Sequence, residues 1–114
     1  MVIAREDMKR EQKEKMRGGE GIASFTHLVD CENEKNIRML SEISLPPGAS
    51  IGYHQHNSET EYFLILSGKG TVNDNGTERP VSPGDAIITG NGASHSIKNT
   101  GEEPLVFHAV IVTY

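Results

Sequence analysis

The stretch GASIGYHQHNSETEYFLILSG, residues 48–68, carries most of the information about the fold and the chemistry of this chain. His54 and His56 are separated by one residue on a predicted strand, so both side chains point to the same face, about 6.6 Å apart along the chain. Glu61 follows a short polar loop and opens the next predicted strand, where it can face the same cavity. Neutral imidazole is a common ligand of transition metals. The stretch therefore predicts a metal site between adjacent strands.

A second stretch, GDAIITGNGASHSIKN at residues 84–99, adds a third imidazole on a distant strand, that of His95. Three nitrogens and one carboxylate oxygen fill four positions around an octahedral metal. Two positions then remain open for water, dioxygen or a bidentate substrate. An open coordination sphere is typical of catalytic rather than structural metal sites.

The two stretches together resemble the two sequence motifs of the cupin superfamily. The first motif is complete, and the second departs only at Gly90, where the motif usually has proline. The short spacer between them is similar to that of small single-domain microbial cupins, which are often described as oxalate-decarboxylase-like. The resemblance implies a jelly-roll β-barrel over about residues 22–113. It also implies that the metal ligands are His54, His56, Glu61 and His95.

Read without this resemblance, the chain after Gly21 still favours an all-β domain. Its segments between Ile22 and Thr113 are short, and each is bounded by Gly, Pro, Asn or Asp. The triplet 74–76, Asp-Asn-Gly, is a hairpin signal because Asn-Gly suits a type I′ turn. About nine strands of this kind indicate an all-β sandwich or barrel.

Composition limits the classes of protein to which the chain can belong. Its 114 residues suffice for one domain. The net charge is −5, and the basic side chains are concentrated in the first 20 residues, so the body is a poor nucleic-acid binder. No apolar run is long enough to span a membrane. Cys31 is the only cysteine, and the N-terminus does not resemble a secretory signal, so we expect a cytoplasmic protein without disulfides.

The N-terminal residues differ in character from the rest, and we divide the chain into an arm, 1–20, and a barrel domain, 21–114. Within the arm, residues 5–16 predict a charged helix, with pairs such as Glu6 and Arg10 at favourable i,i+4 spacing. The apolar face of this helix is thin, so it is marginal alone. The alternatives are a frayed, flexible arm and an arm docked on its own barrel or on a second subunit.

Two predicted strands, 62–66 and 105–112, are apolar on both alternating faces. An antiparallel sheet usually has one face in water, so here both faces need cover. We therefore predict a homodimer; the alternative is burial of both faces within one sandwich.

Side-chain parity also predicts the residues that line the metal pocket. Phe63 and Ile65 share the parity of Glu61, and His108 shares that of neighbouring valines on the last strand, where it is either a group acting on the site or a core histidine. The predicted lining residues are Met39, Ser41, Phe63, Ile65 and His108.

The resemblance implies a metal-dependent enzyme acting on a small carboxylate or oxygenated compound, as a decarboxylase or a dioxygenase. A non-catalytic metal and ligand binder or sensor is the alternative, and the intact ligand set argues against a metal-free structural barrel.

We expect manganese, with iron, nickel or zinc as alternatives, and a small anionic chelating acid as ligand. No catalytic acid or base is identified: Glu59 is the nearest spare carboxylate, with no direction fixed. The cations of the body that can bind an anion are Arg38, Arg79 and Lys98.

Overall fold

The computed structural model describes all residues, 1–114, and its regular structure consists mainly of antiparallel strands. The ten strands are β1 (Lys9–Glu14), β2 (Ile22–His27), β3 (Ile37–Leu45), β4 (Ser50–Gln55), β5 (Glu59–Ser67), β6 (Gly70–Asp74), β7 (Thr77–Val81), β8 (Ala86–Gly90), β9 (Ser94–Asn99) and β10 (Leu105–Thr113). Three single turns of 3₁₀ helix are the only helical segments, at Arg5–Asp7, Met16–Gly18 and Cys31–Asn33. No helix is long and apolar enough to cross a membrane.

The strands form two sheets that pack face to face around one core. The six-stranded sheet has the order β1-β2-β3-β10-β5-β8, and the four-stranded sheet has the order β4-β9-β6-β7. Alternate residues of each strand point inward, as the period of two requires. The inward set includes the three phenylalanines, which are almost fully buried at the centre: Phe25, Phe63 and Phe107. This arrangement confirms the predicted jelly-roll barrel.

The N-terminal segment is a strand, which corrects the predicted helix. Residues Lys9–Glu14 pair with the edge of β2 in an antiparallel register that runs from Lys9 opposite His27 to Glu14 opposite Ile22. The i,i+4 charge pairs contribute only a few tenths of a kcal/mol each, so a free edge of β2 that offers unpaired backbone groups outweighs them.

The Met16–Gly18 turn lies between β1 and β2 of the six-stranded sheet and packs against β4 of the other sheet. The N–H of Ser50, on β4, donates to the carbonyl of Glu20 (2.8 Å), and the N–H of Glu20 donates to Oγ of Ser50 (2.9 Å). A Cβ on Gly52 would lie 2.1 Å from the carbonyl oxygen of Arg17. The turn thus rests directly on the backbone of the strand that carries His54.

We expect Gly52→Ala to destabilise the fold because its new methyl group has no space. The atoms it meets are backbone atoms of Arg17, which cannot move as a flexible side-chain end can. Overpacking of this kind costs about 1–3 kcal/mol. Chemical denaturation measures the loss, with Gly101→Ala as the control, since a Cβ there meets nothing closer than 3.4 Å. Equal stability of the two variants would contradict the close contact.

Candidate metal centre

Four side chains from three strands and one loop converge at one end of the barrel interior. His54 lies on β4 directly opposite His95 on β9, and His56 follows the end of β4. Glu61 comes from β5 of the other sheet. The candidate ligand atoms of these four residues all lie within 4.8 Å of one another. The structure thus brings together the complete ligand set expected from the sequence.

The separations of these atoms are short enough for all four residues to hold one ion. Oε1 of Glu61 lies 3.0 Å from Nε2 of His56, 2.9 Å from Nε2 of His95 and 4.0 Å from Nε2 of His54. The Nε2 atoms of His56 and His95 are 3.1 Å apart. With metal–ligand bonds of about 2.1 Å, adjacent corners of an octahedron are separated by about 3.0 Å and opposite corners by about 4.2 Å. Four ligands of a six-coordinate ion would leave two positions for water or a substrate.

The outward-facing nitrogen of each histidine is held by a different partner. Nδ1 of His54 donates to the carbonyl of Gly52 (2.7 Å). Nδ1 of His56 donates to the Glu59 carboxylate (2.6 Å), and that of His95 shares a hydrogen bond with the Thr89 hydroxyl (2.8 Å). These bonds fix the ring orientations and leave the Nε2 atoms facing the centre, as in metal sites with oriented imidazoles.

The charges at the centre also suit a divalent cation. Burial raises the pKa of the Glu61 carboxyl, but hydrogen bonds from His56 and His95 outweigh burial and bring that pKa to about 2. Burial lowers the pKa of His54, assisted by the neighbouring His95 and His56. The bond to Glu61 raises the pKa of His56 in spite of burial. The Glu61 carboxylate is therefore ionised, and its negative charge favours a cation among the imidazoles, either a proton on a histidine or a metal ion. The residues present fit the metal.

The stability of the metal-free protein should depend on pH through Glu61. Its pKa falls from an ordinary 4.5 to about 2 on folding, so its contribution is complete above pH 4.5 and is lost as the pH falls towards 2. His56 has the opposite sign: its raised pKa gives stability that is complete below pH 6.5 and is lost as the pH rises through the folded value. Urea denaturation at a series of pH values should show a flatter acid limb in Glu61→Gln; identical acid limbs would contradict this origin.

Glu59 links the centre to the six-stranded sheet, which corrects its interpretation as a spare carboxylate without fixed direction. It accepts the bond from His56 and two more from Arg38 of β3, at 3.0 and 2.8 Å. The bond from Arg38 lowers the pKa of Glu59 against the effect of burial, and His56 adds to the lowering. Glu59 is therefore an ionised, committed acceptor that orients a ligand histidine.

We expect Glu59→Gln to weaken metal binding without preventing folding. An amide is a weaker acceptor for His56 and loses the ion pair with Arg38. Changes to such outer partners typically cost about 10–100-fold in metal affinity. Competition against a fluorescent chelator measures the change, with the exposed Glu78→Gln on β7 as the matched control. An affinity equal to that of the control would exclude the orienting role.

A cavity of about 260 Å³ opens onto three of the four ligands, His54, His56 and Glu61. Two of the predicted lining residues, Met39 and Phe63, lie on its wall. Around them are apolar side chains, three of the four ligands and three cations. The full lining is Lys13, Met16, Arg17, Arg38, Met39, Ile43, Ile51, His54, His56, Glu61, Phe63 and Ile111.

Three predicted lining residues lie elsewhere. Ser41 is fully buried and its hydroxyl is hydrogen-bonded to His27, which in turn contacts Glu11. This serine–histidine–glutamate chain has no access for a substrate at the hydroxyl. Ile65 has the correct parity but lies deeper in the core. His108 points outward, 3.3 Å from Glu42, because the inward set of β10 is the opposite one and includes Phe107.

Sequence reasoning missed two of the three cations that line the cavity, Lys13 and Arg17. Both come from the N-terminal segment, for which the sequence predicts a helix or a flexible arm. Residues 9–14 read Lys-Arg-Glu-Gln-Lys-Glu and contain no apolar alternation that would reveal a strand. No signal in the sequence pointed to their place at the cavity.

Comparisons with known proteins agree with this geometry. The family model described as the cupin domain matches residues 41–112. The chain belongs to the cupin family. Among curated proteins, this cupin is 42% identical to an oxalate-binding protein of Thermotoga maritima, over 98% of this chain and 93% of that protein.

Solved structures give the same result for the fold. One, described as a "predicted oxalate decarboxylase" of Thermotoga maritima, superposes with a TM-score of 0.94 at 40% identity and covers 100% of both chains. A polyketide cyclase of Streptomyces resistomycificus superposes at 0.76 with 21% identity, over 99% of this cupin and 78% of that chain. The second likeness shows only that the cupin fold is shared.

Proposed function

We propose that this cupin binds a small dicarboxylate such as oxalate at a divalent metal held by His54, His56, Glu61 and His95. The observation that carries the proposal is the cluster of four ligand atoms within 4.8 Å of one another, beside a small cavity whose other charged side chains are cations. An ion held by four ligands would leave positions for a chelating acid. A bound divalent ion supplies Lewis acidity and a template for chelation. The Thermotoga relative named as an oxalate-binding protein supports this choice of acid.

The cavity suits a ligand of this size and charge. Its volume of about 260 Å³ lies below the range of about 300–1,000 Å³ usual for drug-sized ligands, so a small acid fits better. Apart from the ligands, its charged lining residues are Lys13, Arg17 and Arg38, all cations. Apolar side chains form the rest of the wall and limit competition from water. Manganese is the first ion to test, followed by iron, nickel and zinc.

The proposal places binding ahead of turnover because no free acid or base faces the cavity. Decarboxylation needs a group that delivers a proton to the bound acid. Glu61 faces the centre as a ligand, and Glu59 is held by Arg38 and His56. Metal-dependent turnover, as a decarboxylase or dioxygenase, is the second candidate, because an ion held by four ligands would keep positions open for a substrate.

Thermal denaturation with a panel of acids tests the proposed function. A ligand that binds the native state raises the unfolding temperature. We expect oxalate to do so with Mn²⁺ present, and to do nothing without metal or in His54→Ala. Acetate should have a much smaller effect. Failure of every dicarboxylate to stabilise the metal-loaded protein would contradict the proposal, and release of formate and carbon dioxide or uptake of dioxygen would establish turnover instead.

We also propose that the protein is a homodimer formed through the outer face of the six-stranded sheet. That face exposes neighbouring apolar side chains, with Ile88 65% and Leu64 45% accessible. Contiguous apolar patches of this kind mark interaction sites, and a two-fold contact pairs the patch with itself. Sedimentation should give a dimer for the wild type and a monomer for Leu64→Lys/Ile88→Lys. A monomeric wild type at high concentration would contradict it.

A further inference from the structure

The N-terminal segment brings two cations to the mouth of the cavity. Lys13 is the one half-buried residue of β1, and its Nζ lies 4.9 Å from the ring centroid of Phe25. Arg17 belongs to the Met16–Gly18 turn, which follows β1 and packs against β4. Both side chains line the same cavity as His54, His56 and Glu61. The edge strand β1 and the turn that follows it thus complete the wall of the cavity.

The charges of these two side chains are not neutralised within the protein. Lys13 and Arg17 make no ion pair, and neither side chain donates a hydrogen bond. The third cation of the cavity differs, because Arg38 is bound to Glu59 through two nitrogens. Two positive charges at the mouth therefore remain free for an anion.

The backbone that presents Arg17 is held in an unusual conformation. Lys15 and Arg17 have φ values of 50° and 56°. These values lie in the left-handed region, which residues other than Gly, Asn and Asp rarely adopt. Strain of this kind persists where the surroundings over-determine it, and it concentrates at functional sites. Here the contact of the turn with Gly52 and the bonds between Glu20 and Ser50 hold it. The turn therefore holds the backbone of Arg17 in a fixed position beside β4.

A chelated dicarboxylate carries oxygens that Lys13 and Arg17 could bind. An oxalate that uses two oxygens for chelation keeps two further oxygens and their charge on its other side, whereas acetate keeps none. We propose that Lys13 and Arg17 form an anion subsite that binds these outer oxygens and so selects dicarboxylates over monocarboxylates. This inference rests on the proposed function, since it needs an acid bound at the four ligands.

Removal of both cations tests the subsite in the Mn²⁺-loaded protein. The variant is Lys13→Gln/Arg17→Asn, because asparagine tolerates the left-handed conformation and keeps the turn. We expect its affinity for oxalate, measured by calorimetry, to fall about tenfold, as for loss of charge-assisted hydrogen bonds near solvent. Its affinity for acetate should change less than about twofold. Metal content, measured separately, should stay equal to that of the wild type.

Two further variants and a salt series sharpen the result. The control Arg79→Asn/Lys98→Gln removes two exposed cations from the four-stranded sheet and should bind oxalate as the wild type does. Arg17→Lys should retain most of the affinity. Added salt should weaken oxalate binding more in the wild type than in the double variant. Unchanged oxalate affinity in the double variant, or an equal loss for acetate, would overturn the subsite; a wild type that binds no oxalate would overturn the proposed function itself.

Discussion

Glu61→Gln is expected to remove stoichiometric metal binding while leaving a folded protein. Glu61 is the only anionic side chain among the four ligands, and its carboxylate oxygen lies within 3.0 Å of two imidazole nitrogens. The amide has the same shape but no charge. Since changes to groups that merely orient ligands cost about 10–100-fold in affinity, loss of a ligand should cost more than about 100-fold.

The measurement is metal content after reconstitution and gel filtration, with circular dichroism to verify the fold. Glu78→Gln is the control, because it makes the same chemical change on the exposed strand β7. Glu59→Gln should fall between the two. If Glu61→Gln kept one ion per chain at wild-type affinity, the centre would not be where the geometry places it.

The second large effect is expected for Phe63→Ala, which should lower both stability and metal affinity. The ring of Phe63 is 1% exposed, stacks on that of His95 with centroids 4.8 Å apart, and packs against Phe107 at 4.7 Å. Truncation of a buried phenylalanine costs about 3–5 kcal/mol. It also leaves a cavity beside His95, whose ring then has more freedom to turn away from the centre.

Phe107→Ala separates the two effects. Phe107 is 0% exposed and lies behind Phe63, so its loss should destabilise the fold to a similar degree and affect the metal less. Since a domain is stable by only about 5–15 kcal/mol, Phe63→Leu provides a milder variant that should remain folded. Denaturation and chelator competition give the two readouts. Equal metal affinities in the Phe63 and Phe107 variants would show that stacking does not hold His95.

The ligand set could be predicted from the sequence because its spacing is local and its chemistry is distinctive. His54 and His56 share a face by strand periodicity, and Glu61 opens the next strand. His95 could be named as a third imidazole from its residue type, but its place beside β4 rested on the topology that the family resemblance implies. The hairpin at 74–76 followed from turn chemistry, and the structure pairs β6 with β7 there.

The predictions for His108, for residues 9–14 and for Glu59 were wrong because each depends on contacts between residues far apart in the chain. In β10 both alternating faces are apolar, so parity alone does not tell which one faces the core, and His108 was assigned to the wrong side. The polar strand β1 forms because β2 offers an edge, which no local pattern in residues 9–14 reveals. The role of Glu59 depends on Arg38, which is 21 positions away in the chain. Non-local contacts decided each of these points.

Native mass spectrometry of the reconstituted protein tests the central claim most directly. The claim is that four side chains hold one divalent ion and that this ion provides the place for a small dicarboxylate. We predict one Mn²⁺ per chain, and one oxalate per chain that is present only when the ion is present. An oxalate adduct of equal abundance in metal-free protein, or a metal-loaded chain that never takes up the acid, would contradict the account.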